Sequence, residues 1–290
     1  MGRIVVVGSL NVDHTISVER FPEIGETIIA TGLASDLGGK GFNQAVTAAR
    51  MGADVVMVGC VGADTDGDRL LQALSDERID AGFVRRNAAL PTGRAHITVD
   101  VEGRNSIVVA PGANASTSFP SAALEGADVL LAQLECPLDV VTAAMSAAHS
   151  AGVKTILNPA PARALTDELL RLVDCLVANE TEADSVGQVS YHGIAVITGG
   201  ERGALVLVPG RESRRIPALA VPVVDTTAAG DAFCGAFAAA LAGGGKLGQA
   251  LQRATAAGAC AVTRPGAFSS LPSSVEVDRL LAQSRSEAQS

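Results

Sequence analysis

Two stretches of the chain carry residue types suited to charged-oxygen chemistry. The first is Gly38-Gly39-Lys40-Gly41-Phe42-Asn43, followed by an Ala-rich amphipathic run that ends near Gly52. Glycines just ahead of a helix let a ligand approach the backbone, and the helix N-terminus offers it free N–H groups. Such a place suits a polyhydroxylated ligand, with Lys40 and Asn43 able to hydrogen-bond it; taken alone, it reads equally as an ordinary turn with a solvated lysine. The second is Val224-Asp225-Thr226-Thr227-Ala228-Ala229-Gly230-Asp231, which runs into a helix from Ala232 to Ala242 with Phe233, Phe237 and Leu241 on one face. Small residues there leave N–H groups unobstructed, and the helix dipole adds partial positive charge. Together they make a cradle for negative charge developing on a transferred phosphoryl group. Asp231 has two readings: an N-cap, the usual role of Asp at a helix start, or a general base with a substrate hydroxyl within reach.

These segments need a scaffold, and the apolar pattern supplies one. Buried strands are expected at Ile4–Val7, Val55–Val58, Val129–Leu131, Thr155–Leu157, Cys175–Val177 and Ala195–Thr198, alternating with Ala-rich helical stretches. That rhythm implies a parallel sheet covered by helices on both faces. Two regions break it. Asn11–Ser17 with Thr27–Thr31, and Arg94–Val101 with Asn105–Val109, read as short half-polar strands that form a small separate sheet.

The 290 residues suffice for a sizeable core, and 48% hydrophobic with 18% charged residues is a globular composition. A net charge of −9 opposes binding to nucleic acid or to an anionic membrane, because no cluster of Lys and Arg is present to neutralise phosphates. Cys60, Cys136, Cys175, Cys234 and Cys260 lack metal or redox spacing and read as reduced, buried thiols. The start, Arg3 to Gly8, is too short for a signal segment, so a cytoplasmic protein is expected. Gly243-Gly244-Gly245-Lys246-Leu247-Gly248 satisfies GxGxxG but follows a helix, so it reads as a loop. Lys40 is followed by Gly41 where a P-loop needs Ser or Thr.

In combination, Gly38–Asn43 and Asp225–Asp231 resemble the two signatures of the PfkB, or ribokinase-like, carbohydrate kinase family. The resemblance extends through Asn11-Val12-Asp13, Pro111-Gly112-Ala113-Asn114, Gln133-Leu134-Glu135, Asn158 to Arg163, Asn179 to Glu182, Thr198-Gly199-Gly200 and Ala261 to Ala267. It covers nearly the whole chain. It implies an α/β fold of three layers, α/β/α, with a central mostly parallel sheet and a small β-sheet lid. Residues 1–290 would form one kinase domain, with lid strands from about 11–34 and 92–111. The implied reaction is ATP-dependent phosphorylation of the primary 5-hydroxyl of a pentose, D-ribose first, with Asp231 as base and Ala228, Ala229, Gly230 and Asp231 as the anion hole. Deoxyribose, another sugar or a nucleoside is the alternative acceptor, and a catalytically weak sugar-binding protein the alternative class.

Residue by residue, the resemblance places Asn11, Asp13, Gly39, Lys40, Asn43 and Glu135 on the sugar, with Ala95 and Ile107 as apolar lid contacts over the ring. Asn179, Thr198, Gly200, Gly203, Gly230 and Thr255 match nucleotide-binding positions. Asn179 and Glu182 match an element that orders Mg²⁺ through water, and Asp225, Thr227, Ala261, Arg264, Gly266 and Ser270 match a K⁺ loop. The resemblance also implies a homodimer through the outer lid face. Here that face would carry Arg94, His96 and Thr98, which points to a looser, wetter dimer or none. The segment between Glu182 and Ala195 is much shorter than in the family and leaves little room for a full helix.

Overall fold

The computed structural model describes residues 1–186 and 191–287. Its strands are β1 (Arg3–Val7), β2 (Asn11–Ser17), β3 (Gly32–Gly38), β4 (Asp54–Gly62), β5 (Asp80–Asn87), β6 (Gly93–Val99), β7 (Asn105–Ala110), β8 (Val129–Ala132), β9 (Lys154–Leu157), β10 (Cys175–Asn179), β11 (Ile194–Thr198), β12 (Ala204–Leu207) and β13 (Arg214–Ile216). The helices are α1 (Lys40–Arg50), α2 (Thr65–Asp76), α3 (Leu138–Ser150), α4 (Asp167–Leu170), α5 (Glu180–Val186), α6 (Ala229–Ala242), α7 (Leu247–Ala261) and α8 (Ser274–Glu287). Nine strands form one sheet in the order β13-β12-β11-β10-β9-β8-β1-β4-β5. It is parallel from β5 through to β11 and closes with two antiparallel strands, β12 and β13.

Strand alternation divides the core into two layers. Ile4, Val6, Val55, Met57, Val129 and Leu131 face one side, where they pack with Phe42 and Val46 of α1, Phe237 of α6 and Leu251 of α7. Val5, Val7, Val56, Val58, Leu130 and Ala132 face the other, against Val141 and Met145 of α3 and Leu169 and Leu170 of α4. Because both faces are buried, these strands read as continuous apolar runs, and all six expected ones are present. All five cysteines are free and buried. Among the described residues, no helix is long and apolar enough to cross a membrane.

The second sheet has the order β3-β2-β6-β7 and forms the small separate layer. Its strand β3 corrects the sequence reading. Thr27–Thr31 is a connecting segment with Ile29 86% exposed, and the strand is Gly32–Gly38, pairing Asn11 with Gly38 and Ser17 with Gly32. The lid therefore runs past residue 34 to the threshold of α1. Gly-Leu-Ala-Ser-Asp-Leu-Gly contains no β-branched residue, so its propensity is weak, and the pairing comes from the backbone of β2. The edge strands β5 and β13, and β12 beside β13, also escape the sequence, being short or interrupted by Gly and Arg. Arg94 is fixed to Asp66 of α2 at 2.9 Å, which ties the lid to the body of the protein.

The seven-residue α5 begins at Glu180 and reaches only Val186 of the segment between Glu182 and Ala195; residues 187–190 of that crossover lie outside the described residues. The glycine run Gly243–Gly245 is a turn, and α7 starts only at Leu247.

Candidate active site

Polar residues leave the sheet at one edge. Ser9 and Asn11 follow β1, Gln133 and Glu135 follow β8, Asn158 follows β9, and Asn179 and Thr198 end β10 and β11. All stand at the carboxyl ends of parallel strands, the place where open α/β sheets bind ligands. α1 and α6 begin over the same edge. Gly39, at φ 90°, turns the chain from β3 into α1, a conformation that favours glycine. Glu135 closes that turn by accepting the Lys40 N–H at 3.1 Å and the Ser9 hydroxyl.

Asp231 is 7% exposed, and α1 grips both of its carboxylate oxygens. Asn43 Nδ2 donates to Oδ2 at 3.0 Å and Gln44 Nε2 to Oδ1 at 2.9 Å. The N-cap reading of Asp231 is excluded: the N-cap of α6 is Ala228, with no side-chain cap bond. Ala228 sits at φ 58°, a left-handed conformation costing a non-glycine residue about 1–2 kcal/mol, and such strain concentrates at functional sites. The N–H groups of Gly230 and Asp231 meet no protein acceptor among the described residues, whereas that of Ala229 is turned to Thr226 O at 3.3 Å. The anion hole expected of four N–H groups therefore loses Ala229.

Gln44 was not singled out by the sequence, and Gln133 entered only as part of Gln133-Leu134-Glu135, yet together they hold Asp231. Gln44 Oε1 accepts Gln133 Nε2 at 2.6 Å, and Gln44 Nε2 is shared with Asn158 Oδ1 at 3.1 Å. Asn158 Nδ2 reaches Val177 O at 2.9 Å and Glu182 at 3.4 Å. The close approach of α1 and α6 makes this possible. A Cβ at Gly235 would lie 2.5 Å from Gln44 O, so a larger residue would push Gln44 away from Asp231. The only available signal was position: Gln44 follows Asn43, and a buried amide must find partners.

Around Lys40 the charges compete. Burial pushes the Asp13 carboxyl up, and the negative Glu135, Asp36 and Asp231 push it further, to about 7, while Lys40 pulls it down. Burial opposes the charged form of Lys40, but Asp231, Glu135 and Glu182 outweigh it and raise the pKa. Asn11 is 2% exposed and is oriented by Asn114, whose Nδ2 donates to Asn11 Oδ1 at 2.7 Å. Asn43 Oδ1 is buried with no hydrogen-bond partner, an acceptor that fits a ligand hydroxyl. Ala95 is buried opposite Asp13 in the β2–β6 register. Ile107 lies on the same sheet face, opposite Ile97 and 53% exposed.

A cavity of about 180 Å³ joins Lys40, Asn179, Glu182, Thr198, Ala228, Gly230 and Asp231. Gly200, Gly203 and Thr255 do not line it. Gly200 is exposed on the turn after β11. A Cβ on Gly203 would meet Ile216 O at 2.0 Å, so backbone packing accounts for that glycine. Thr255 lies on α7 with a buried, unpaired hydroxyl.

Asn179 and Glu182 cap α5 reciprocally. Asn179 Oδ1 accepts the Glu182 N–H at 2.8 Å, and Glu182 Oε2 accepts that of Asn179 at 2.9 Å. Glu182 Oε1 meets no donor among the described residues, and a single free carboxylate oxygen in the cleft suits a Mg²⁺ that keeps its waters. In the second loop, Asp225 Oδ1 accepts Thr227 N at 2.9 Å and Oγ1 at 2.7 Å, and its Oδ2 accepts Gly266 N at 2.9 Å. Arg264 Nη2 donates to Ser270 O at 3.1 Å, and Ala261 O accepts Arg264 N at 3.4 Å. The six residues expected at the K⁺ loop thus fall into two hydrogen-bonded sets, Asp225 with Thr227 and Gly266, and Arg264 with Ala261 and Ser270. Among the described residues, no group of three or more His, Cys, Asp or Glu could hold a metal.

The pfkB family carbohydrate kinase model matches residues 1–274. The chain belongs to the pfkB carbohydrate kinase family. It is 41% identical over 295 residues to a ribokinase of Haemophilus influenzae, covering 94% of this chain and 96% of the relative. It is 33% identical over 302 residues to a deoxyribokinase of Salmonella typhi, covering 96% and 98%. Its fold is similar to the structure of Arabidopsis thaliana ribokinase complexed with ribose and ATP, with a TM-score of 0.88, 31% identity and 97% and 98% coverage. The family's two signatures therefore coincide in space: Gly38–Asn43 opens α1, Asp225–Asp231 opens α6, and they meet at the Asn43–Asp231 hydrogen bond.

Proposed function

We propose that the protein transfers the γ-phosphoryl group of ATP to the 5-hydroxyl of D-ribose. The observation that carries this reading is Asp231, which shares one cleft with Lys40 at a helix start whose N–H groups at Gly230 and Asp231 are free, and which is held by the amides of Gln44 and of Asn43, whose own Oδ1 is unpaired. The relatives support the choice of ribose.

In this mechanism Asn11, Asp13, Lys40, Asn43 and Glu135 bind the sugar hydroxyls, with Gly39 allowing close backbone approach and Ala95 and Ile107 covering the ring. Asp231 takes the proton of the 5-hydroxyl as that oxygen attacks in line, and the N–H groups of Gly230 and Asp231 receive the charge on the transferred group. Asn179, Thr198 and Gly230 face the nucleotide, with Gly200, Gly203 and Thr255 shaping the region beyond the cleft. Mg²⁺, ordered through water by Asn179 and Glu182, would neutralise phosphate oxygens. K⁺, held by the loops of Asp225, Thr227, Ala261, Arg264, Gly266 and Ser270, would stiffen the approach to α6. Residues 1–290 act as one cytoplasmic kinase domain in this reading, and the lid excludes water from the reaction.

Removing the Gln44 amide should separate orientation from binding. Gln44→Leu is expected to lower kcat about 10- to 100-fold by misplacing the base. It should leave the ribose KM within about threefold and cost about 1–3 kcal/mol of stability by stranding the buried Gln133 and Asn158 amides. Steady-state kinetics with thermal unfolding check both.

The outer lid face supports self-association. Leu33 and Val108 are 78% and 65% exposed there, around stacked His14 and His96 rings 5.7 Å apart. A weak homodimer is expected by sedimentation, and it should dissociate when Val108 is replaced by Glu.

An acceptor panel tests the proposal. With ATP and Mg²⁺, kcat/KM for D-ribose is expected to exceed that for 2-deoxyribose, fructose and a nucleoside, and to rise with K⁺. A preference for 2-deoxyribose would move the assignment to a deoxyribokinase. Sugar binding without ATP consumption would make the protein a sugar-binding member of the family.

A further inference from the structure

The lid strand β3 meets the body of the protein through a side chain that the chemistry above does not use. Asp36 stands half-buried on β3, directly opposite Asp13 in the β2–β3 register. Its Oδ2 accepts three donors from a single loop: Ala267 N at 3.1 Å, Ser269 N at 3.2 Å and Ser269 Oγ at 3.0 Å. Its Oδ1 accepts Leu37 N at 2.9 Å.

The same loop is held from two other sides. Asp225 Oδ2 accepts Gly266 N at 2.9 Å, and the Phe268 ring packs 5.4 Å from that of Phe42, beneath the Arg50 guanidinium at 5.0 Å. A Cβ on Gly266 would come within 2.9 Å of Asp36 Oδ2 and 2.4 Å of Ser269 Oγ, so carboxylate and loop are packed as well as bonded. β3 lacks β-branched residues, and Leu33, Ala34 and Ser35 beside Asp36 are exposed, so little besides pairing with β2 fixes this stretch. Three donors on one carboxylate oxygen, from residues more than 230 positions away in sequence, are then a large share of what joins the strand to the body. One register step leads from Asp13 to Asp36, and one loop leads from Asp36 to the Asp225–Gly266 contact. The physical path is contiguous.

We infer that Asp36 is a positioning residue that latches the lid to the Gly266–Ser270 loop, so that sugar held at Asp13 is felt at the Asp225–Gly266 contact. This rests on the proposed reading of Asp13 as a sugar contact. The role is specific to the carboxylate: Asn in its place would present either one acceptor or an amide that opposes the three donors.

The test combines ribose titration with amide hydrogen exchange at Gly266, whose N–H is bonded to Asp225 and not to Asp36. In the wild-type protein, ribose alone is expected to slow exchange at Gly266 at least about fivefold. In Asp36→Ala, ribose should bind about tenfold more weakly, and at saturating ribose the Gly266 amide should no longer respond. The turnover number at saturating substrates should stay within about threefold of wild type, which separates KM from kcat. Ser269→Ala, which keeps one backbone donor pair and the fold, should give an intermediate loss. An undiminished Gly266 response in Asp36→Ala, or an unchanged ribose affinity, overturns the latch. If ribose fails to titrate the wild-type chain at all, the sugar-kinase reading falls first and takes the latch with it.

Discussion

Asp231→Asn is expected to lower the turnover of ribose phosphorylation by about 10²–10⁴-fold, the range supplied by a positioned general base, while the dissociation constant for ribose changes by no more than about threefold. The asymmetry follows from geometry. The amide keeps the size of the side chain and one oxygen for Asn43 or Gln44, so the helix start and the sugar pocket persist. What disappears is the proton acceptor. Equal losses in kcat and in ribose affinity would make Asp231 a sugar ligand whose basicity is irrelevant. Near-normal turnover would remove it from the base role. The expected background is not zero, because the free N–H groups of Gly230 and Asp231 still receive the transferred group.

Asp13→Asn should raise the ribose KM about 10- to 100-fold, because a carboxylate accepting sugar hydroxyls is replaced by a group that competes as a donor; hydrogen bonds to charged groups contribute about 1.5–3 kcal/mol each. A pH effect accompanies it. The Asp13 carboxyl of the sugar-free protein is pushed to about 7 by burial and by Glu135, Asp36 and Asp231. Hydroxyls bind the ionised form better, so ribose affinity should rise with pH through 7, and Asp13→Asn should flatten the profile. The folded protein holds this proton more tightly than the unfolded chain. The contribution of Asp13 to stability is therefore full below pH about 4 and is lost as pH rises to about 7. Ribose should accordingly raise the unfolding temperature more at pH 8 than at pH 6. An equal rise at both pH values, with an unchanged KM profile in the variant, would show that Asp13 does not contact the sugar.

Much of this was legible in the residues themselves. The buried parallel strands announce themselves because both faces are covered, and the two helices because small residues precede apolar runs, although the helices begin earlier than the pattern suggests, at Lys40 and Ala229. The two signature segments pointed to one place, and the fold brings them together at the Asn43–Asp231 hydrogen bond. What stayed hidden depends on partners far away in sequence. Gln44 becomes important only because Gly235 lets α6 approach it, 191 positions later by chain numbering. β3 carries no propensity signal and exists through its pairing with β2, while Thr27–Ile29 carries the signal and forms no strand. Asp36 is an unremarkable exposed-strand residue until Ala267 and Ser269 are placed against it. The anion hole shows the complementary limit: Ala228 to Asp231 suggest four N–H groups, and only the three-dimensional path reveals that Ala229 donates to Thr226 instead.

Following labelled phosphate tests phosphoryl transfer to the sugar with Asp231 as base. Purified protein with Mg²⁺, K⁺, D-ribose and ATP labelled at the γ-phosphate should pass the label to the 5-oxygen of ribose, one per ATP consumed. Without sugar, ATP should be nearly untouched, and Asp231→Asn should transfer orders of magnitude more slowly. Label released only as inorganic phosphate, at a rate indifferent to ribose, would rule out sugar phosphorylation, and transfer undiminished in Asp231→Asn would rule out Asp231 as the base.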